Sequence, residues 1–116
     1  MTTKIQRIEP NARMSGAVVH GGTVYLAGQV GEPGADIRVQ VRGALAEVDR
    51  LLAAAGTDKS RILQATVWLS DMADFAAMNA EWEAWIDPAN PPARATGEVQ
   101  LADSGYKVEV IVVAAL

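Results

Sequence analysis

The sequence predicts one α+β domain with the element order β-β-β-α-β-α-β-β. Three observations predict it. Two stretches repeat apolar residues at three-and-four spacing, the mark of helices with one buried face. Around them lie β-prone runs punctuated by Gly, Pro and Asp-Ser-Gly signals. The length of 116 residues is enough for one core and leaves no room for a second lobe, so residues 1–116 are read as a single domain.

Lys4 to Ile8 is a short mixed run closed by Pro10 and reads as an edge strand, with residues 11–16 as a connector. Ala17 to His20 and Thr23 to Ala27 are β-prone runs joined by Gly21-Gly22, a pair suited to a two-residue hairpin turn. Gly28, Gly31, Pro33 and Gly34 then interrupt regular structure directly after a strand, where loops often carry sites. From Asp36 the period changes. Val41, Ala44, Leu45, Val48, Leu51, Leu52 and Ala55 share one helical face, while Arg42, Glu47, Asp49 and Arg50 take the other. Asp36 as N-cap and Gly56 as stop bound this helix near 37–55. Ile62 to Leu69 reads as a strand apolar on both sides, with Leu63, Ala65, Val67 and Leu69 on one and Ile62 and Trp68 on the other. A second helix opens at Asp71, buries Phe75, Met78, Trp82, Trp85 and Ile86, and stops at Pro88. After the stiff Ala89-Asn90-Pro91-Pro92 segment come two strands, Arg94 to Leu101 and Tyr106 to Ala115, read as hairpin partners about Asp103-Ser104-Gly105.

The last strand carries Val108, Val110, Val112 and Ala114 on one side and Lys107, Glu109, Ile111, Val113 and Ala115 on the other. Two helices cover one face of such a sheet, so the opposite apolar face needs a cover from elsewhere, and self-association is the simplest source. Leaving Val, Ile and Leu side chains wet forgoes about 1.5–3 kcal/mol each, which over a few residues rivals the stability of a domain. An obligate homo-oligomer is expected.

Composition removes several function classes. With no cysteine, a disulfide scaffold, a thiolate metal site and a cysteine nucleophile are excluded, and a reducing compartment is favoured. A single histidine, His20, rules out a His-rich metal centre. The longest apolar run, Val110 to Leu116, is far shorter than the roughly 20 residues a membrane span needs. Met1 to Pro10 has scattered charges and no apolar block, so it does not read as a signal peptide; a soluble cytoplasmic protein is expected. A net charge of -4 without a basic cluster argues against nucleic-acid binding.

Two residues stand out for chemistry. Arg94 follows Pro-Pro-Ala at the mouth of a strand and precedes small residues, a setting in which a guanidinium can grip a carboxylate through two N–H groups; it reads equally well as a surface arginine. Glu109 interrupts an aliphatic strand, where a buried carboxylate needs a partner or a task as acid or base; facing solvent beside Lys107 is the plainer alternative. If their strands are neighbours, the two side chains can face a shared pocket. His20 reads as a solvated turn residue, and Asp71 and Asp74 as helix-start residues. Gly28, Gly31 and Gly34 do not match the dinucleotide fingerprint, and no serine triad is supported.

Taken together, Gly22-Thr-Val-Tyr-Leu-Ala-Gly-Gln-Val30, Leu51-Leu-Ala-Ala-Ala-Gly56, the run from Ile62 to Asp74 with Phe75 and Asn79, Pro92-Ala-Arg94 and Lys107-Val-Glu-Val110 resemble the RidA (YjgF-type) family, also called the endoribonuclease L-PSP family, over nearly the whole chain. The resemblance implies a chorismate-mutase-like fold, two helices on one face of a sheet, and a homotrimer with a central barrel and clefts between subunits. It implies hydrolysis of reactive enamines and imines of the 2-aminoacrylate type to 2-oxo acids and ammonia, without metal or cofactor. Arg94 then matches the arginine that holds the substrate carboxylate, and Glu109 matches the acid that orients or activates water. Gly31 would line the same cleft. Met14 stands where many deaminating members carry tyrosine, and Thr96 where they often carry cysteine, so the pocket lining is changed. The alternative reading is a non-catalytic trimer that binds a carboxylate metabolite; a ribonuclease is disfavoured by the charge.

Overall fold

The computed structural model describes residues 4–116; residues 1–3, the start of the stretch read as lacking a signal peptide, lie outside the described residues. The strands are Gln6–Ile8 (β1), Ala17–His20 (β2), Thr23–Leu26 (β3), Ile62–Leu69 (β4), Ala93–Glu98 (β5) and Val108–Ala115 (β6), with helices Ile37–Ala55 (α1) and Phe75–Trp85 (α2). One mixed sheet results, in the order β1-β2-β3-β6-β4-β5. The expected element order stands.

Local signals account for much of it. Gly21 and Gly22 turn the β2–β3 hairpin with φ of +60° and +84°, a backbone that two glycines adopt without steric cost. The Asp36 carboxylate accepts the Arg38 N–H at the start of α1, and Gly56 closes the helix with φ +88° while donating to the Ala53 carbonyl. Val41, Ala44, Leu45, Val48, Leu51 and Leu52 of α1 are buried in one core with Val108, Val110, Val112 and Ala114 of β6 and Ala65, Val67 and Leu69 of β4. Glu81 of α2 receives both Arg38 and Arg42 of α1, and Trp85 Nε1 donates to Asp49 at 2.9 Å, so polar clamps tie the two helices together.

The structure corrects the expected hairpin between the last two strands. β5 pairs with β4, in parallel, and β4 separates it from β6. Strand chemistry explains the choice: β6, aliphatic at nearly every position, takes the centre between β3 and β4, while β5 carries Arg94, Thr96, Gly97 and Glu98 and takes the edge. Both strands are also shorter than expected, and residues 99–107 form a loop. Inside that loop the Asp103 carboxylate accepts the Gly105 N–H at 2.8 Å. Gln40, wholly buried on α1, secures the same loop by donating to the Gly105 and Ala35 carbonyls and accepting from the Lys107 N–H.

Two smaller corrections concern which way side chains face. A bulge at Leu63 adds one residue to β4, so Ile62 joins Ala65, Val67 and Leu69 beneath the helices, and Leu63 is 53% exposed. In the second helical segment Asp71 caps a single 3-10 turn, Met72–Asp74, before α2 begins. Met78 and Trp82 are buried as expected, Trp85 and Ile86 are half-buried, and Phe75, in the first turn of the helix, is exposed.

Candidate active site

Arg94 lies opposite Ala65 in the β4–β5 ladder, and Ala65 lies opposite Val112, so Arg94 stands on the helix-covered side of the sheet, at its edge. Its guanidinium carbon lies 5.2 Å from the centroid of the Trp82 ring, over the ring face. Arg38, Arg42 and Arg50 are all paired with carboxylates. Among the described residues Arg94 makes no hydrogen bond or ion pair, which leaves its N–H donors available. Two residues along, on the same side, the Thr96 hydroxyl is buried and also lacks a partner. An unused half-buried guanidinium beside an unused hydroxyl is suited to a carboxylate or carbonyl oxygen.

Glu109 lies opposite Trp68, on the face the helices leave bare. Its carboxylate crosses the backbone of Gly28, so closely that a Cβ built there would lie 1.9 Å from Oε2. Gln29 and Val110 exchange backbone hydrogen bonds at 2.8 and 2.9 Å, and this bridge holds the glycine loop along β6 beside Glu109. Within one chain, therefore, Arg94 and Glu109 do not face a common pocket. They sit on non-adjacent strands and opposite faces, contrary to the expectation drawn from the hairpin.

Gly31 is pressed onto α1: a Cβ there would lie 2.4 Å from the Gln40 carbonyl oxygen and 2.7 Å from its Cα. It permits the loop to seat on the helix. Met14 projects from the loop before β2, 51% exposed, above a turn in which the Asn11 side chain accepts the Arg13 and Met14 N–H groups. His20 is exposed at the hairpin turn, and Asp71 serves as a cap, both as expected. Among the described residues no three His, Asp or Glu side chains are grouped to hold a metal ion. No helix of the described residues is long and apolar enough to cross a membrane. Sequence reasoning missed Trp82 beneath Arg94 and Gly28 beneath Glu109. The first was readable only as a core aromatic; the second had a faint signal, a glycine ending a strand ahead of a site-prone loop.

The bare face also carries Val18, Tyr25, Ile111, Val113, Thr66 and Trp68. The chain is thus a two-layer α+β domain with an open apolar sheet face, a free guanidinium at the sheet edge and a carboxylate on the open face. Residues 4–116 match the family model described as Endoribonuclease L-PSP, and the chain belongs to that family, whose members also carry the names RutC and YjgF. A RutC family protein from Haemophilus influenzae is 44% identical over 112 residues, covering 95% of this chain and 97% of that protein. A crystal structure of a YjgF family member from Neisseria meningitidis superposes with a TM-score of 0.95 at 38% identity, covering 97% and 95% of the two chains. An Escherichia coli protein named 2-iminobutanoate/2-iminopropanoate deaminase is 32% identical over 99 residues, covering 84% of this chain and 77% of that protein.

Proposed function

We propose that the chain assembles as a homotrimer and hydrolyses reactive imines and enamines of the 2-aminoacrylate type to 2-oxo acids and ammonia. The observation that carries this reading is the free guanidinium of Arg94 beside the unpartnered Thr96 hydroxyl, a ready seat for the carboxylate of an amino-acid-derived substrate. The named activity of the Escherichia coli relative supports the substrate class. Because Arg94 and Glu109 occupy opposite faces of one sheet, they act together only across a boundary between copies: the sheet edge of one protomer brings Arg94 to the bare face of the next, where Glu109 waits. Covering that face with protein is also what its apolar residues require.

The chemistry then needs little. Water adds to the carbon of the C=N bond while Glu109 takes one of its protons. That proton passes to the nitrogen to give a carbinolamine; the hydroxyl proton then moves to the same nitrogen by way of Glu109 as the C–N bond breaks and the C=O bond forms, and ammonia leaves. An enamine enters the same route after gaining a proton at carbon and losing one from nitrogen to become the imine. Arg94 fixes the substrate carboxylate, so the reaction gains from orientation and from a placed proton carrier.

The test couples an amino-acid dehydratase or oxidase to the protein and follows loss of the imine. The wild type accelerates the loss, Arg94→Ala abolishes the acceleration, and Glu109→Gln lowers rate more than affinity. Mixed assemblies made by co-expressing Arg94→Ala and Glu109→Gln chains regain activity, since some sites unite the intact residue of each. No regain would place both groups in one chain and sink the cross-boundary site. No acceleration with intact binding of a 2-oxo acid would leave the carboxylate-binding trimer as the function.

A further inference from the structure

We propose that Trp82 is a positioning residue for Arg94: an aromatic shelf that holds the guanidinium at the sheet edge before any ligand arrives. The inference rests on the carboxylate-binding reading of Arg94 and adds the device that prepares it.

An arginine that binds a small carboxylate faces a cost, because its long side chain loses rotamer freedom on capture. The usual way to lower that cost is to tether the head in advance to an acid or a carbonyl, but such a partner consumes the very N–H donors the ligand needs. A ring face avoids the conflict. It attracts the cation through its quadrupole and uses none of the in-plane donors. Arg94 shows this arrangement, with its guanidinium over the Trp82 ring and no hydrogen-bond partner among the described residues.

The shelf is itself anchored. Trp82 is 8% exposed and packs at 5.4 Å, tilted by 58°, against Trp85. Trp85 in turn donates its indole N–H to Asp49 of α1 and lies beneath the Lys59 ammonium, 5.3 Å from the ring centroid. Arg42 grips Glu81, the residue just before Trp82, at 2.8 Å. From α1 outward, each contact removes a freedom from the next, and the last group in the chain keeps its guanidinium donors unused among the described residues. Structural packing alone accounts for a buried Trp82. It does not account for a half-buried arginine left without a partner above it.

Two measurements on the whole protein decide the matter. The first is side-chain NMR relaxation at Arg94 Nε without ligand: the wild type is ordered, whereas exposed Arg13 is mobile, and Trp82→Leu frees Arg94. The second is calorimetric affinity for 2-oxobutanoate, together with kcat and KM in the imine assay. Trp82→Leu weakens binding about tenfold, the loss appearing in KM, and Trp82→Phe, which retains a ring and most of the volume, loses about threefold. Should the leucine variant not fold, the phenylalanine variant carries both measurements. An Arg94 as mobile as Arg13 in a wild type that binds 2-oxobutanoate would overturn the shelf and spare the carboxylate reading. An ordered Arg94 in a wild type that binds no carboxylate would overturn that reading, and the positioning role with it. A loss in kcat with KM unchanged, or equal affinity in all three proteins, would overturn the positioning role alone.

Discussion

Val112 and Val113 are neighbours on one strand, chemically identical, and live in different worlds. Val112 is fully buried under α1, whereas Val113 lies between Tyr25 and Gln64 on the bare side. The covered face is a finished core, stabilised within the chain. The bare face offers the same apolar groups with neither helix of the described residues above them, and it also carries Glu109. What differs is the partner, and apolar periodicity reports the need for a partner without saying which molecule supplies it.

The sharpest way to break the comparison is to put the same charge on both residues. Val112→Asp buries a carboxylate with no counterion and costs more than about 4 kcal/mol, enough to prevent folding. Val113→Asp leaves the secondary structure of the chain intact by circular dichroism but disperses the assembly in sedimentation. Two variants that unfold alike would mean that the bare face belongs to the chain's own core; two that stay assembled would mean that nothing covers it.

A second pair divides the glycine loop between the faces. Gly31→Ala drives a methyl group into the helix backbone at Gln40, which cannot retreat, and costs about 1–3 kcal/mol in thermal or denaturant unfolding. Gly28→Ala meets the flexible Glu109 side chain, Oε2 at 1.9 Å and Cγ at 3.0 Å, which can swing aside. Stability hardly changes, yet the carboxylate leaves its place and the rate of imine loss falls about tenfold or more. Equal destabilisation by the two would remove Gly28 from the site.

These contrasts also mark what the chain discloses before it is folded. The bounds of α1 follow from Asp36 and Gly56 because caps act on residues a few positions away. The alternation of β6 was legible for the same reason. The place of β5 was not: its pairing with β4 depends on which of two distant strands wins the central position, and no local signal records that. Leu63 defeats a parity count because a bulge exists only relative to the partner strand. The site suffers from both effects. Arg94 and Glu109 were visible as residue types in suggestive places, but their opposite faces follow from β-ladder register, and the Trp82 and Gly28 contacts follow from packing.

Gln40 connects the two faces, since from the covered side it holds the loop that leads into Lys107 and hence to Glu109. Gln40→Leu keeps the volume but strands the Lys107 N–H and two carbonyls, at about 2 kcal/mol once water reaches part of the loop. Hydrogen exchange at the Lys107 amide should accelerate in this variant more than at the Val112 amide. Uniform acceleration would mean that Gln40 supports the core as a whole.

The smallest effect concerns acid. Glu81 is held below the ordinary glutamate value, first by its hydrogen bond to Arg42; loss of solvent opposes this, and the charge of Arg42 with the hydrogen bond and charge of Arg38 adds to the lowering. A carboxyl group whose folded pKa is depressed stabilises the fold above its unfolded value, about 4.3, and that contribution disappears as pH falls through the lower folded value. The clamp joins α1 to α2, so its loss loosens the helix layer and leaves the sheet's bare face untouched. Glu81→Gln, which cannot gain or lose the proton, should therefore be somewhat less stable than the wild type at neutral pH and should converge with it below about pH 4. A difference between the two proteins that stays constant down to acid would show that Glu81 contributes through packing and not through its charge.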